Sequence, residues 1–199
     1  MVVPIYMKNL PFLIGALLLI PLLADAQEYI SFNQERLEIN RKGMIVLGSW
    51  AAGNMIVSGW QYTQTEGQTR YFHQMNVFWN AVNAGIAGFG YYQSAHGATD
   101  LSLIESMNEQ NSIEKILLFN AGFDVAYIAT GLYLKERGKV KSEKFDQFTG
   151  YGNSLILQGG FLLVFDIVMH QIHVQHKAHW LADIQLHVSP AGYSMVLPF

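Results

Sequence analysis

Residues 71–99 read YFHQMNVFWNAVNAGIAGFGYYQSAHGAT, without one Asp, Glu, Lys or Arg. Residues 43–65, GMIVLGSWAAGNMIVSGWQYTQT, are equally free of formal charge. Crossing the hydrocarbon core of a bilayer takes about 20 predominantly apolar residues in a helix. These stretches therefore predict membrane spans over about 43–60 and 71–92. Trp60, Tyr62, Tyr91 and Tyr92 close them as interfacial aromatics.

Two further spans are expected over about 113–134, interrupted by Asp124, and 151–174, interrupted by Asp166. The expected fold is an all-α integral membrane protein, a four-transmembrane-helix bundle occupying residues 27–174. A soluble periplasmic helical bundle is the competing reading, with the third and fourth segments as core helices. The uncharged length of the first two segments argues against it.

Ahead of the first span, Lys8 precedes an apolar run over 10–23, flanked by Pro11 and Pro21 and followed by Ala24-Asp25-Ala26. A positive start, a short apolar run and an A-x-A site form a secretory signal. Residues 1–26 are expected to be that signal peptide, with residues 1–6 as an upstream extension and Gln27 as the first mature residue. An uncleaved anchor helix is the alternative. Between signal and first span, residues 31–41 suit a short amphipathic helix at the surface, with Phe32, Leu37 and Ile39 partly buried.

Beyond the last span, residues 175–199 read as a short extended extracytoplasmic tail. Ile184, Leu186 and Val188 alternate with Gln185, His187 and Ser189, a strand period, and Pro190-Ala191-Gly192 makes a turn. Orientation follows from charge. The loop after the third span carries Lys135, Arg137, Lys139, Lys141 and Lys144, and the loop after the second carries Asp100, Glu105 and Glu109. The positive-inside rule puts the first of these in the cytoplasm. The N-terminus and the tail then lie outside a bacterial inner membrane. Arg36, Arg41 and Lys42 run counter to this rule.

Composition narrows the functions. Charged residues make up 14% of the chain, against about a quarter in soluble domains. A net charge of −3 gives nucleic-acid binding no electrostatic basis. The chain has no cysteine, which excludes disulfides, thiolate nucleophiles and Cys-ligated metals. No phosphate-loop, His-Glu-x-x-His or Gly-x-Ser-x-Gly pattern occurs, so no catalytic residue is assigned.

The informative residues are polar ones inside the spans. A helix turns about 100° per residue, so spacings of three, four and seven share a face. His73, Asn76, Asn80 and Asn83 form one such stripe, Asn120, Asp124 and Tyr127 another, and Asp166, His170 and His173 a third. Polar groups in hydrocarbon are costly without partners. Asn54, Asn76, Asn80, Asn83, Asn120, Asp124 and Gln158 are therefore expected to form an inward polar seam. By depth, Asp124 belongs near the midplane, and Asp166, His170 and His173 toward the outer face. His73 falls at the opposite end, so it and His170 do not suit one haem.

The bland reading of the seam is interhelical hydrogen bonding. For Asp124 and Asp166 a functional role stands level with a structural one. Asp166, His170 and His173 together suit a divalent transition metal, with Asn120 as a fourth ligand. A solvated His-rich helix end is the plainer alternative.

These features point first to a non-enzymatic accessory or assembly subunit in the lipid bilayer, with a membrane or periplasmic protein partner. The alternative is a small transporter or a proton- or metal-linked protein using its intramembrane Asp and His residues. A redox subunit comes third.

Overall fold

A computed structural model describes the backbone of residues 10–188 and the side chains of residues 29–182. Four helices account for nearly all of it: α1 (Leu10–Gln64), α2 (Gly67–His96), α3 (Leu103–Val140) and α4 (Phe145–Val188). A single 3₁₀ turn, Ser142–Lys144, leads into α4. Among the described residues there is no strand.

Each expected span lies inside one of these helices, but the helices are longer than the spans. The short surface helix, the first span and the backbone from Leu10 onward are one continuous α1, within which Ala26 falls. The strand period over 184–188 is overturned, because α4 runs on to Val188. Nothing over 176–188 removes a backbone donor or forces a turn. The first breaker in this region is Pro190, which also restricts the residue before it. The expected turn at Pro190 and residues 189–199 lie outside the described residues.

The ends are set locally. Gly67 opens α2 with φ +54°, a left-handed conformation that glycine adopts without a steric penalty. A Cβ there would also come within 3.1 Å of Asp146 Oδ2. Ser102 caps α3 in a capping box, with its Oγ accepting from Glu105 N–H and Glu105 Oε2 accepting from Ser102 N–H at 3.0 Å. Arg137 and Lys139 in the last turn of α3 and Asp146 in the first turn of α4 match the helix dipoles.

The packing order is α1, α2, α4, α3: α1 lies on α2, α2 on α4 and α4 on α3. The backbones of α2 and α3, neighbours in sequence, do not approach closely, and the two helices meet through the Trp79 and Tyr127 rings, centroids 4.6 Å apart. The bundle is therefore open along one side, where residues 97–102 bridge the gap.

Polarity is inverted relative to a water-soluble fold. Of the ten largest wholly buried side chains among the described residues, only Phe32 is apolar. The others include His173, Gln110, Gln158, Asn76 and Asn80. Outside, Ile56 is 74% exposed and Phe119 68%, with Phe78, Phe89, Leu118 and Val164 similarly bare. Soluble domains bury such residues. Two helices are long and apolar enough to cross a membrane, with 18-residue windows of mean hydropathy 1.4 in α3 and 1.7 within Ser142–Ala182.

Candidate functional site

Polar side chains gather in three places. The first is a network joining α1, α2 and α4. Asn76 Nδ2 donates to Asn54 Oδ1 at 2.9 Å and to Ser58 Oγ at 2.7 Å. His73 Nδ1 lies 3.1 Å from the same hydroxyl. Gln158 of α4 donates to Asn76 Oδ1 and accepts from Trp50 Nε1 at 2.9 Å. Asn80 Nδ2 returns to the Asn76 carbonyl at 2.8 Å. Asn54, Asn76, Asn80 and Gln158 thus come together, with Asn76 paired to both α1 and α4 and only Asn80 Oδ1 among these four side chains buried without a partner. Ser58 was expected beside Asn54 on the inward face of the first span; Trp50 was not among the expected members. Trp50 reads as an aliphatic-like core residue until its N–H is located. Ser58 lies a turn beyond Asn54, on the face that spacing marks as inward.

The second place is a cap where α1, α3 and α4 interlock. Asn33 Nδ2 donates to Ser106 Oγ at 2.7 Å, and Arg36 Nε and Nη2 donate to Asn33 Oδ1 at 3.2 and 3.1 Å. Gln110 Nε2 donates to the His173 carbonyl at 2.8 Å. His173 Nε2 lies 3.0 Å from Asn40 Oδ1; with an amide oxygen as partner, Nε2 carries the proton. Phe32 stacks on His176 with centroids 4.6 Å apart and packs on Trp180 at 4.5 Å. Lys177 Nζ reaches Glu114 Oε2 at 2.6 Å, and His176 Nε2 reaches Glu35 Oε2 at 3.3 Å. Burial pushes the Arg36 pKa down, with the Glu109 carboxylate opposing. Phe32 is buried as expected of the surface helix. Arg36 is buried too, against the expectation for a charged residue there.

The third place is a cavity of about 870 Å³ along the open side, between α2 and α3. Its walls are largely aromatic and aliphatic, including Phe78, Trp79, Phe89, Phe123, Tyr127 and Phe165. Asn83, Asn120, Asp124 and Asp166 also line it. Asn120 is exposed to this space and is not part of the seam. Asn83 is buried beside the cavity, and its Nδ2 has no partner.

Asp124 of α3 and Asp166 of α4, expected at different depths, line the same cavity and interact across the two helices. The reason is side-chain direction. Gly159 packs against the Asp124 carbonyl, so the two Asp backbones are offset by about two turns. Each side chain tilts toward its own N-terminus, and in this antiparallel pair those tilts converge.

The expected metal group does not form. Asp166 is engaged by Asp124, and His173 by Asn40. Seven residues separate Asp166 from His173, about 10 Å along the axis, and both side chains tilt the same way. Among the described residues, no group of three His, Cys, Asp or Glu side chains could hold a metal ion.

Residues 46–167 match a family of unknown function, DUF6992. The chain belongs to this family. The family segment takes in the seam, the cavity floor and both aspartates, and it leaves the cap residues Phe32, Arg36, His173 and Trp180 outside. No curated protein and no solved structure matches the chain.

Proposed function

We propose that this chain is a non-enzymatic integral membrane protein that holds a small molecule in the cleft between α2 and α3. The observation that carries this reading is the cavity of about 870 Å³, with apolar walls and two carboxyls, built where the backbones of two helices stand apart. Clefts of this size, largely apolar with a few convergent polar groups, are typical small-molecule sites. In this proposal residues 1–26 are the export signal and the four helices cross a bacterial inner membrane once each. The polar interior and apolar exterior support it, since lipid leaves apolar side chains outward and forces polar ones to pair inward. The charge-poor lengths of α1 and α2 and the basic 135–144 turn also support it.

An accessory or assembly subunit is the second reading. It is favoured by the bare apolar faces on both sides of the cleft, Val82 and Ile86 on α2 and Ile116 on α3, which could receive a partner helix. Native mass spectrometry of the full chain released from mild detergent separates the two. A bound small molecule on a single chain supports the first; a stoichiometric protein partner supports the second. The membrane part has its own test, because the chain lacks cysteine. Asn108→Cys and Ser142→Cys, both at exposed sites, should react with an impermeant reagent from outside and only from inside, respectively. Equal labelling of both in intact cells defeats the topology.

A further inference from the structure

The asparagine stripe of α2 has two different ends. Asn76 is hydrogen-bonded to α1 through Asn54 and Ser58 and to α4 through Gln158. Two turns further on, Asn83 is 4% exposed and forms no hydrogen bond with a described residue. One turn before Asn83, Trp79 Nε1 is also buried without a partner. Both residues line the cleft between α2 and α3. An indole N–H can only donate. The two ends of an amide are interchangeable in shape, so half a turn of the Asn83 side chain offers its NH₂ to the cleft. The Trp79 ring is held edge-to-face by Tyr127 of α3, with centroids 4.6 Å apart and planes at 79°. Helix α2 thus carries two donors one turn apart on the wall of an apolar cavity, with no protein acceptor for either.

The facing wall adds polar groups and no positive charge. Asn120 is exposed to the cleft. Asp124 and Asp166 line it and form no ion pair with a described residue. A buried carboxyl without a cation is held as the neutral acid, because a charge in a low-dielectric interior costs more than a proton taken up, and the acid then has an O–H to donate. Among the described residues lining the cleft, Arg36 is the only lysine or arginine, and it lies at the outer end, 3.8 Å from Glu109. At the depth of Asn83 an anion would find no counter-charge. What the walls offer there is neutral donors set in aromatic and aliphatic surface, and an oxygen acceptor on an uncharged apolar molecule is what completes them.

We propose that the cleft binds an uncharged lipophile bearing a carbonyl oxygen, the oxygen accepting from Trp79 and Asn83 and the apolar body lying against the aromatic walls. This rests on the small-molecule reading above and names the ligand class.

The test uses benzophenone and diphenylmethane, two uncharged probes of one skeleton that differ by a carbonyl in place of a methylene. The full chain is purified in detergent micelles, and empty micelles correct for partitioning. Equilibrium dialysis should show saturable binding of benzophenone at one per chain, and binding of diphenylmethane at least tenfold weaker. Near-ultraviolet light attaches bound benzophenone to neighbouring C–H bonds, and the attachment should map to cleft residues such as Met44, Val82 and Ile116. Trp79→Phe with Asn83→Leu keeps a ring against Tyr127 and removes both donors. This double variant should bind benzophenone at least tenfold more weakly than the natural chain does, and diphenylmethane as before. Equal affinity for the two probes on the natural chain, attachment outside the cleft, or unchanged benzophenone binding in the folded double variant overturns the proposal. If the double variant does not fold, the two probes and the attachment site on the natural chain decide. Equal, saturable binding of both probes in the cleft would leave the small-molecule reading standing without a carbonyl. If neither probe binds saturably, the carbonyl assignment falls, and the small-molecule reading is judged separately by what co-purifies.

Discussion

Gly131 of α3 and Gly152 of α4 lie back to back. A Cβ built on Gly131 would stand 2.6 Å from the Gly152 carbonyl oxygen, and one built on Gly152 would stand 2.5 Å from that of Gly131. Two helices can approach this closely only where neither carries a side chain, which is how small residues drive association in lipid. Gly131→Leu should therefore separate α3 from α4 and destabilise the protein by at least the 1–3 kcal/mol typical of overpacking. The control is Gly122→Ala, on the same helix with nothing within 4 Å, which should leave the protein as stable or slightly more so. Thermal unfolding in detergent checks both. Equal loss in the two variants would mean that the crossing is not at Gly131.

Much of this arrangement was legible in the residues. Uncharged length located the interiors of α1 and α2, and spacings of three and four found the stripe from His73 to Asn83. What could not be read was which helix faces which. The stripes of α3 and α4 pointed inward, but periodicity gives a direction around one axis and no partner. Asp124 and Asp166 therefore looked separate, and Asp166 and His173 looked joined. The open side between α2 and α3 was invisible for the same reason, since the polar loop expected between the second and third spans does not say how closely they pack. The tail misled differently. Alternation over 184–188 is a strand period only where strand pairing exists, and here the ladder of α4 simply continues.

Gln158 should prove the most costly member of the seam to remove. Its side chain accepts from Trp50 and donates to Asn76, so it ties α4 to both α1 and α2. Gln158→Leu leaves the N–H of half-buried Trp50 without its partner and leaves the buried Asn76 Oδ1 with only Asn80 Nδ2, at 3.4 Å. The expected loss is about 1–3 kcal/mol, the usual penalty for orphaned buried polar groups. Asn54→Leu should cost less, because Asn76 keeps its bond to Ser58. Reversible unfolding in mixed micelles would rank the two, and the opposite ranking would place the centre of the seam at Asn54.

Ser102 anchors the start of α3 and, through it, the cap. Its backbone and hydroxyl both donate to Glu105, holding that carboxyl below its ordinary range. One residue further on, Ser106 accepts from Asn33. Ser102→Ala removes the N-cap oxygen and should cost about 1 kcal/mol. Amide exchange should rise at Glu105 and Ser106 and remain unchanged near Gly131. A uniform rise along α3 would instead mean that the first turn and the α3–α4 crossing unfold together.

The cap should loosen in mild acid, and His176 should be a main cause. Burial lowers its pKa below the ordinary 6.5; Glu35 opposes that shift, while Arg36 and His179 add to it. His173 of the same helix faces the cap as well, through Asn40. A base with a depressed folded pKa binds fewer protons folded than unfolded. Its contribution to stability is therefore complete above pH 6.5 and declines as pH falls below that value toward the folded pKa. Exchange protection over residues 29–40 and 173–182 should fall between pH 7.5 and 5, with the seam at Asn76 and Gln158 unaffected. His176→Phe keeps a ring against Phe32 and removes the titration, so the dependence should become shallower. Glu35→Gln removes the opposing carboxylate at 3.3 Å and should lower the folded pKa further, making the loss in acid larger. If His176→Phe loosens the cap in acid as steeply as the natural chain does, the proton acts elsewhere, and His173 becomes the residue to replace next.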